Sequence, residues 1–128
     1  MIGLTNTLSD GYELSRYLTR EKSKTRVVVV PCSVDGNLEH HMLEAIVGFD
    51  TATKVYSQLI GNIMIDAQSA VKYWYFIRVM GRDPSHLVLE CALKTKPNWV
   101  IISEEVRADK EGGLKKVVRK IADMIMQR

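Results

Sequence analysis

Ser33, Asp35 and Asn37 stand at alternate positions in one short loop, directly after the valine run at 27–30. A carboxylate and a hydroxyl placed together there have the composition needed to take a proton from a substrate hydroxyl. The plainer account of the same residues is an ordinary Asp-Gly turn at Asp35-Gly36, a common turn former. A second group is cationic. Lys72 precedes an aromatic-rich segment, and Arg78 and Arg82 bracket its end. Arginine is suited to forked recognition of phosphate oxygens, although solvated charges flanking a strand are more common. His86 falls in the first turn of an expected helix and reads as a capping or packing residue. His40-His41 has no partner at metal-ligand spacing and reads as surface. Cys32 and Cys91 are isolated and read as two free thiols in a reducing cytosol.

These residues need elements to hold them. Residues 8–20 carry apolar positions at Leu8, Tyr12, Leu14, Tyr17 and Leu18, a helical stripe with Ser9 and Asp10 in its first turn. Residues 26–31 contain consecutive β-branched side chains and read as a strand buried on both faces of a parallel sheet. Residues 48–51 read as a loop entering a helix capped by Asp50 or Thr51. That helix runs through Val55, Leu59, Ile63 and Ala67. Residues 73–79 read as a strand, with the cluster at 73–76 as core. Pro84 suits the first turn of a helix through Leu87, Leu89 and Leu93, which Pro97-Asn98 ends. Residues 99–103 read as a third strand. A last amphipathic helix follows Gly112-Gly113, with Leu114, Val117, Val118, Ile121, Met124 and Ile125 on one face.

Strands alternating with helices imply an α/β fold with a mostly parallel sheet and helices on both faces. Ligands in such folds sit beyond the C-terminal strand ends. Loops 3–7, 31–38 and 80–82 all fall there and are expected to be neighbours. Composition agrees with an ordinary globular domain: 46% hydrophobic and 26% charged residues. The net charge of +3 permits an anionic small ligand. No stacking motif or dense basic run favours nucleic acid, and no stretch is apolar enough to span a membrane. The opening Ile2-Gly3-Leu4-Thr5-Asn6-Thr7 lacks the pattern of a secretory signal. It reads as a strand end and a phosphate-type turn, and the chain is expected to be a piece of a longer protein.

Several segments, in this order, resemble the pyrophosphate-dependent phosphofructokinase family. They are Val47-Gly48-Phe49-Asp50-Thr51-Ala52, Ser57-Gln58-Leu59-Ile60-Gly61-Asn62, Tyr75-Phe76-Ile77-Arg78-Val79-Met80-Gly81-Arg82, Ser85-His86 and Ser103-Glu104-Glu105-Val106. The resemblance extends from Ile2 to the last helix. It implies one partial phosphofructokinase domain over 1–128, in a three-layer sandwich. It also implies the family's activity in glycolysis: phosphoryl transfer to the 1-hydroxyl of fructose 6-phosphate with Mg²⁺, by positioning, charge neutralisation and a base.

The carry-over is uneven. Where the family's catalytic loop reads Pro-Lys-Thr-Ile-Asp-Gly-Asp, this chain reads Pro31-Cys32-Ser33-Val34-Asp35-Gly36-Asn37. Asp35 matches the base, and Ser33 keeps a hydroxyl with Val34 beside it. Cys32 replaces a lysine that stabilises charge during transfer, and a neutral thiol supplies no such cation. Where the family's donor loop reads Gly-Gly-Asp-Asp-Ser, this chain reads Gly3-Leu4-Thr5-Asn6-Thr7. The donor-loop remnant Gly3, Thr5 and Asn6 therefore lacks both carboxylates that help hold Mg²⁺, and no metal ligand is expected in this chain. Leu4 stands where close approach to phosphate favours glycine. The acceptor side is kept. Lys72-Tyr73 matches a pair that reaches a neighbouring subunit's sugar-phosphate site, and Met80-Gly81-Arg82 matches the sugar-phosphate loop unchanged. The family's further acceptor segments, a glutamate and Tyr-Glu-Gly-Arg, are expected beyond the end of this chain.

The resemblance thus implies a cytoplasmic protein that binds fructose 6-phosphate or a related sugar phosphate. It would assemble as a homo- or hetero-oligomer with other phosphofructokinase subunits or domains. Two roles fit: a regulatory or structural domain with a degenerate donor site, which explains both retained and lost residues, or part of a fully catalytic enzyme using pyrophosphate or ATP with Asp35 as base. An unrelated nucleotide-binding α/β domain ranks last, because loop 31–38 lacks a glycine-rich fingerprint.

Overall fold

The computed structural model describes residues 1–38, 40–82, 84–108 and 112–127. The chain opens with β1 (Ile2–Gly3) and α1 (Thr5–Arg20), followed by β2 (Val30–Ser33), β3 (Val47–Gly48) and α2 (Phe49–Ala70). It continues through α3 (His86–Thr95), α4 (Ser103–Ala108) and α5 (Gly113–Met126). The sheet has three strands in the order β1-β2-β3, and both pairings are parallel. Ile2 pairs with Val30 and Gly3 with Pro31; Cys32 pairs with Val47 and Ser33 with Gly48. The fold is therefore α/β with a parallel sheet, as the alternation of elements predicts.

The valine run is used differently from the expectation of two buried faces. Only Val30 belongs to β2. Val27 and Val29 are half-buried, while Val28 is 70% exposed and Val30 is exposed. This alternation is that of a segment covered on one side. Val29 lies against α1 at Gly11, where an added Cβ would come within 2.3 Å of the valine Cγ2. That close approach accounts for a glycine inside a helix, a position that otherwise costs about 1 kcal/mol. The Met1 amino group donates to the Val28 carbonyl and the Val30 N–H donates to the Met1 carbonyl, both at 2.8 Å, so the β1–β2 pairing begins ahead of the assigned strands.

Helices α2 and α3 pack on one another. Thr53 and Ile60 from α2 meet this core with Leu87 and Cys91 from α3; Thr53 is 0% and Leu87 1% exposed. Buried Thr53 is satisfied: its hydroxyl donates to the Asp50 carbonyl at 2.9 Å, and its carbonyl accepts from the Ser57 hydroxyl at 2.6 Å. The expected α2 stripe is displaced around the helix, since Val55 and Leu59 are exposed and the covered face runs through Phe49, Thr53, Tyr56 and Ile60. On α3, Leu89 and Leu93 are likewise exposed, and Cys91 takes the inward place.

The helix ends also differ from expectation. Neither Asp50 nor Thr51 caps α2; Gly48 holds the cap position at φ 107°, with Asp50 in the first turn. There its charge complements the helix dipole. Pro84 precedes the cap residue Ser85 rather than entering α3. Loop 3–7 is mostly helix, because α1 begins at Thr5.

Residues 73–79 and 99–102 carry no strand pairing among the described residues, and Ser103 starts α4. A strand exists only through a ladder partner, and neither segment has one here. The aromatic cluster at 73–76 is correspondingly exposed rather than core, with Phe76 at 73%. On α5, Leu114 and Val118 are exposed, and Val117, Ile121, Met124 and Ile125 are only half-buried. Among the described residues no helix is long and apolar enough to cross a membrane.

Candidate functional site

The parallel strands all end on one side. Gly3, Ser33 and Gly48 stand at the C-terminal ends of β1, β2 and β3, so the junction 3–7, the loop after Ser33 and the start of α2 share one sheet edge. The loop is shaped from within. The buried Ser33 hydroxyl accepts from the Asp35 N–H at 3.1 Å and donates to the Asn37 Oδ1 at 3.2 Å. The alternate spacing of Ser33, Asp35 and Asn37 is thus a local network that turns the chain and orients Asp35.

Gly36 closes that turn at φ 68°. An added Cβ would lie 2.8 Å from the Phe49 ring and 3.4 Å from the His86 Cβ. At Gly48 the space is less tight, with the Ser33 carbonyl 3.5 Å from where its Cβ would be, but its φ of 107° favours glycine. The Gly48-Phe49-Asp50-Thr51 segment therefore has a structural logic. Its glycine permits the left-handed strand-to-helix turn, its Phe packs on Gly36, and its Asp sits at the helix start.

The 80–82 turn meets this loop. A Cβ built on Gly81 would lie 3.9 Å from the Asp35 Oδ1 and 3.9 Å from the Pro84 carbonyl. Asp35 and Gly81, far apart in sequence, thus lie near one another. Met80 and Arg82 are exposed beside them. Lys72 and Tyr73 are not joined to this group. The Lys72 Nζ lies 5.3 Å from the centroid of its neighbour's ring, and among the described residues no hydrogen bond or ion pair links either residue to Asp35 or Gly81. His86 is exposed at the start of α3. His40 and His41 are exposed with rings 3.8 Å apart. Both cysteines are free; Cys32 is half-buried beside Ser33 and Cys91 is buried.

The β1–α1 junction offers neutral groups only. Thr5, Asn6 and Thr7 lie in the first turn of α1, and the Thr7 side chain fills the space over Gly3. Magnesium is held through carboxylates and waters, so these residues do not fit the Mg²⁺ that the resemblance implies.

A cluster that sequence reasoning did not connect lies behind the 80–82 turn. The Ser85 N–H donates to the Glu104 Oε1 at 2.8 Å, and the Ser85 hydroxyl donates to the Glu104 Oε2. Ser103 joins through its hydroxyl, 3.2 Å from the Glu104 Oε2, and through its N–H, 3.3 Å from the Ser85 Oγ. Hydrogen bonds from the Ser85 hydroxyl first, then from backbone N–H groups, lower the Glu104 carboxyl from 4.5 to about 2. The only sequence signal was the pair of quoted segments, Ser85-His86 and Ser103-Glu104, with nothing to say that they touch.

Two clefts lie elsewhere. One of about 460 Å³ separates segments 75–79 and 99–101 from Ile60, Val88 and Cys91. The other, about 420 Å³, lies along α2 and α3 at Ser57, Gly61 and Lys94. Neither is lined by a residue of 3–7, 33–37 or 80–82.

Fold and edge together define an α/β protein of the parallel-sheet class, in which ligands bind beyond the C-terminal strand ends. Residues 5–128 match the family described as phosphofructokinase, and the chain belongs to that family. Over its whole length it is 45% identical to the pyrophosphate–fructose 6-phosphate 1-phosphotransferase of Treponema pallidum (strain Nichols), covering 22% of that protein. It is 44% identical to subunit alpha 2 of the Arabidopsis thaliana enzyme, covering 21%, and 45% identical to subunit beta of the Ricinus communis enzyme, covering 23%. The chain thus spans about 22% of the length of such relatives. Alpha and beta subunits match it equally well, so identity does not assign it to either.

Proposed function

We propose that this chain is part of a phosphofructokinase acting on fructose 6-phosphate, and that its domain binds the sugar phosphate with a degenerate donor site in a regulatory or structural role. The observation that carries the reading is the meeting of Asp35 and Gly81. It supports a reading in which Ser33, Val34, Asp35, Met80, Gly81 and Arg82 form the acceptor edge, with Lys72 and Tyr73 serving a neighbouring subunit's site as the family resemblance implies. On the same edge the donor side has neutral Leu4, Thr5 and Asn6, and Cys32 in place of a cation. Electrostatic stabilisation of a transferring phosphoryl group needs charge at those positions. Magnesium, if the whole protein uses it, is then held by residues outside this chain. The alpha- and beta-subunit names of the relatives favour a homo- or hetero-oligomer in which this domain completes a partner's site. A cytoplasmic setting accords with the free cysteines, and a place in glycolysis is what the phosphofructokinase reading implies.

The same Asp35–Gly81 meeting also favours a second reading, in which Asp35 works as the base of a catalytic enzyme using pyrophosphate or ATP. A steady-state assay of the full-length protein with fructose 6-phosphate and either donor separates the two. No turnover by wild type, with fructose 6-phosphate still bound, supports the regulatory reading. Turnover abolished by Asp35→Asn supports the catalytic one. Turnover that survives Asp35→Asn excludes Asp35 as a working base.

A further inference from the structure

We propose that Glu104 is a positioning residue for the sugar-phosphate edge, setting the 80–82 turn against Asp35 by gripping Ser85. The inference rests on the sugar-phosphate reading above, and adds to it a residue that does not itself touch the ligand.

A hydrogen-bonded grip and two close proximities form the chain of effect. Both Glu104 carboxylate oxygens are engaged by Ser85, one by its N–H at 2.8 Å and the other by its hydroxyl. Ser85 is buried and caps α3, so its N–H would otherwise be a desolvated donor at a helix start. The preceding carbonyl, that of Pro84, lies 3.9 Å from the Cβ position of Gly81, and the Asp35 Oδ1 lies at the same distance from that position. Glu104 thus holds the Ser85 peptide, and the carbonyl just before it borders the same small space beside Gly81 that the Asp35 carboxylate borders. A two-point carboxylate grip fixes direction as well as distance. The Ser85 hydroxyl has no cap bond to its own helix, being committed to Glu104. Ser103 braces the same carboxylate from its own side.

A loop held this way keeps its ligand groups aligned before the ligand arrives, and a small displacement is expensive. Loss of the grip is expected to weaken fructose 6-phosphate binding by about tenfold or more, since misplacement by an ångström costs up to about a hundredfold in related settings. The test uses calorimetric titration of fructose 6-phosphate into the full-length protein as wild type, Glu104→Ala, Glu104→Gln and Glu105→Gln. The glutamine at 104 keeps one acceptor oxygen of two, so its Kd should fall between those of wild type and Glu104→Ala. Glu105→Gln, the same charge change one residue along, should bind as wild type does. A purely structural brace would lower the melting temperature of the Glu104 variants and leave their Kd unchanged, which overturns the proposal. Equal weakening by Glu105→Gln also overturns it, as a general charge effect. Should Glu104→Ala fail to fold, the Glu104→Gln to Glu105→Gln comparison decides alone. Absence of binding by wild type overturns the sugar-phosphate reading itself, and this inference with it.

Discussion

Replacing Gly36 with alanine tests how the candidate catalytic loop is built. Gly36 adopts φ 68°, and an alanine there pays for the left-handed backbone, about 1–2 kcal/mol. Its Cβ would also lie 2.8 Å from the Phe49 ring, closer than carbon atoms approach without displacement. Overpacking of that kind costs about 1–3 kcal/mol. The sum, about 2–5 kcal/mol, is large beside the free energy with which a surface loop stays closed. Hydrogen exchange in the full-length protein reads it directly. At about 1.4 kcal/mol per tenfold, the amides of 34–37 should exchange faster by a factor between about 30 and several thousand. A second arm separates the two causes. In the Phe49→Ala background the steric part disappears, so Gly36→Ala should then cost only the backbone part, about 1–2 kcal/mol. Wild-type exchange in Gly36→Ala would refute the described turn. An identical cost in both backgrounds would refute the role given to Phe49.

Other outcomes follow from single features. Leu87 is 1% exposed between α2 and α3, so Leu87→Ala should cost about 2–5 kcal/mol in denaturant unfolding of the unit that contains those helices; a cost below 1 would contradict that core. Val71 ends α2 in the left-handed region at φ 51°, so Val71→Gly should raise stability by about 1 kcal/mol, read as slower exchange in the last turn of α2. Glu104 ionises at about 2 when folded against 4.5 ordinarily. A carboxyl lowered by folding gives stability that is complete above its unfolded value and lost as pH falls through the folded one. The stability gap between wild type and Glu104→Gln should therefore be constant above about pH 4.5 and close towards pH 2, and a gap that widens on acidification would contradict the hydrogen bonding to Ser85. The 128-residue chain on its own should self-associate or bind a hydrophobic dye, because α2, α3, α5 and the 73–76 cluster expose large apolar side chains; a monodisperse, cooperatively melting monomer would contradict this.

Much of the architecture was legible because it rests on local signals. Helical periodicity located all the longer helices, and the Asp-Gly pair marked the turn after β2. Asp35 and Gly81 lie near one another although 73–79, the strand expected to deliver Gly81 to the edge, is not a strand among the described residues. What was missed depends on contacts between distant parts of the chain. β3 is a two-residue strand, too short for any alternation to show, and its Gly48 falls in the segment 48–51 that reads as loop. The 73–79 and 99–103 segments have strand composition, but composition does not supply a ladder partner. The inward faces of α2 and α3 take Thr53 and Cys91 beside Ile60 and Leu87, and neither a threonine nor a cysteine stands out in a stripe of leucines and valines. The Glu104–Ser85 tie joins residues 19 apart and leaves no periodic trace.

We propose a kept acceptor edge beside an altered donor edge within one domain. Hydrogen exchange of the full-length protein, with and without saturating fructose 6-phosphate and separately with magnesium pyrophosphate, tests it most directly. Protection of 34–37 and 80–82 by the sugar phosphate, with no change at 4–7 on adding magnesium pyrophosphate, is the predicted result. Protection of 4–7 by magnesium pyrophosphate, or none at 34–37 and 80–82 with the sugar phosphate, would contradict it.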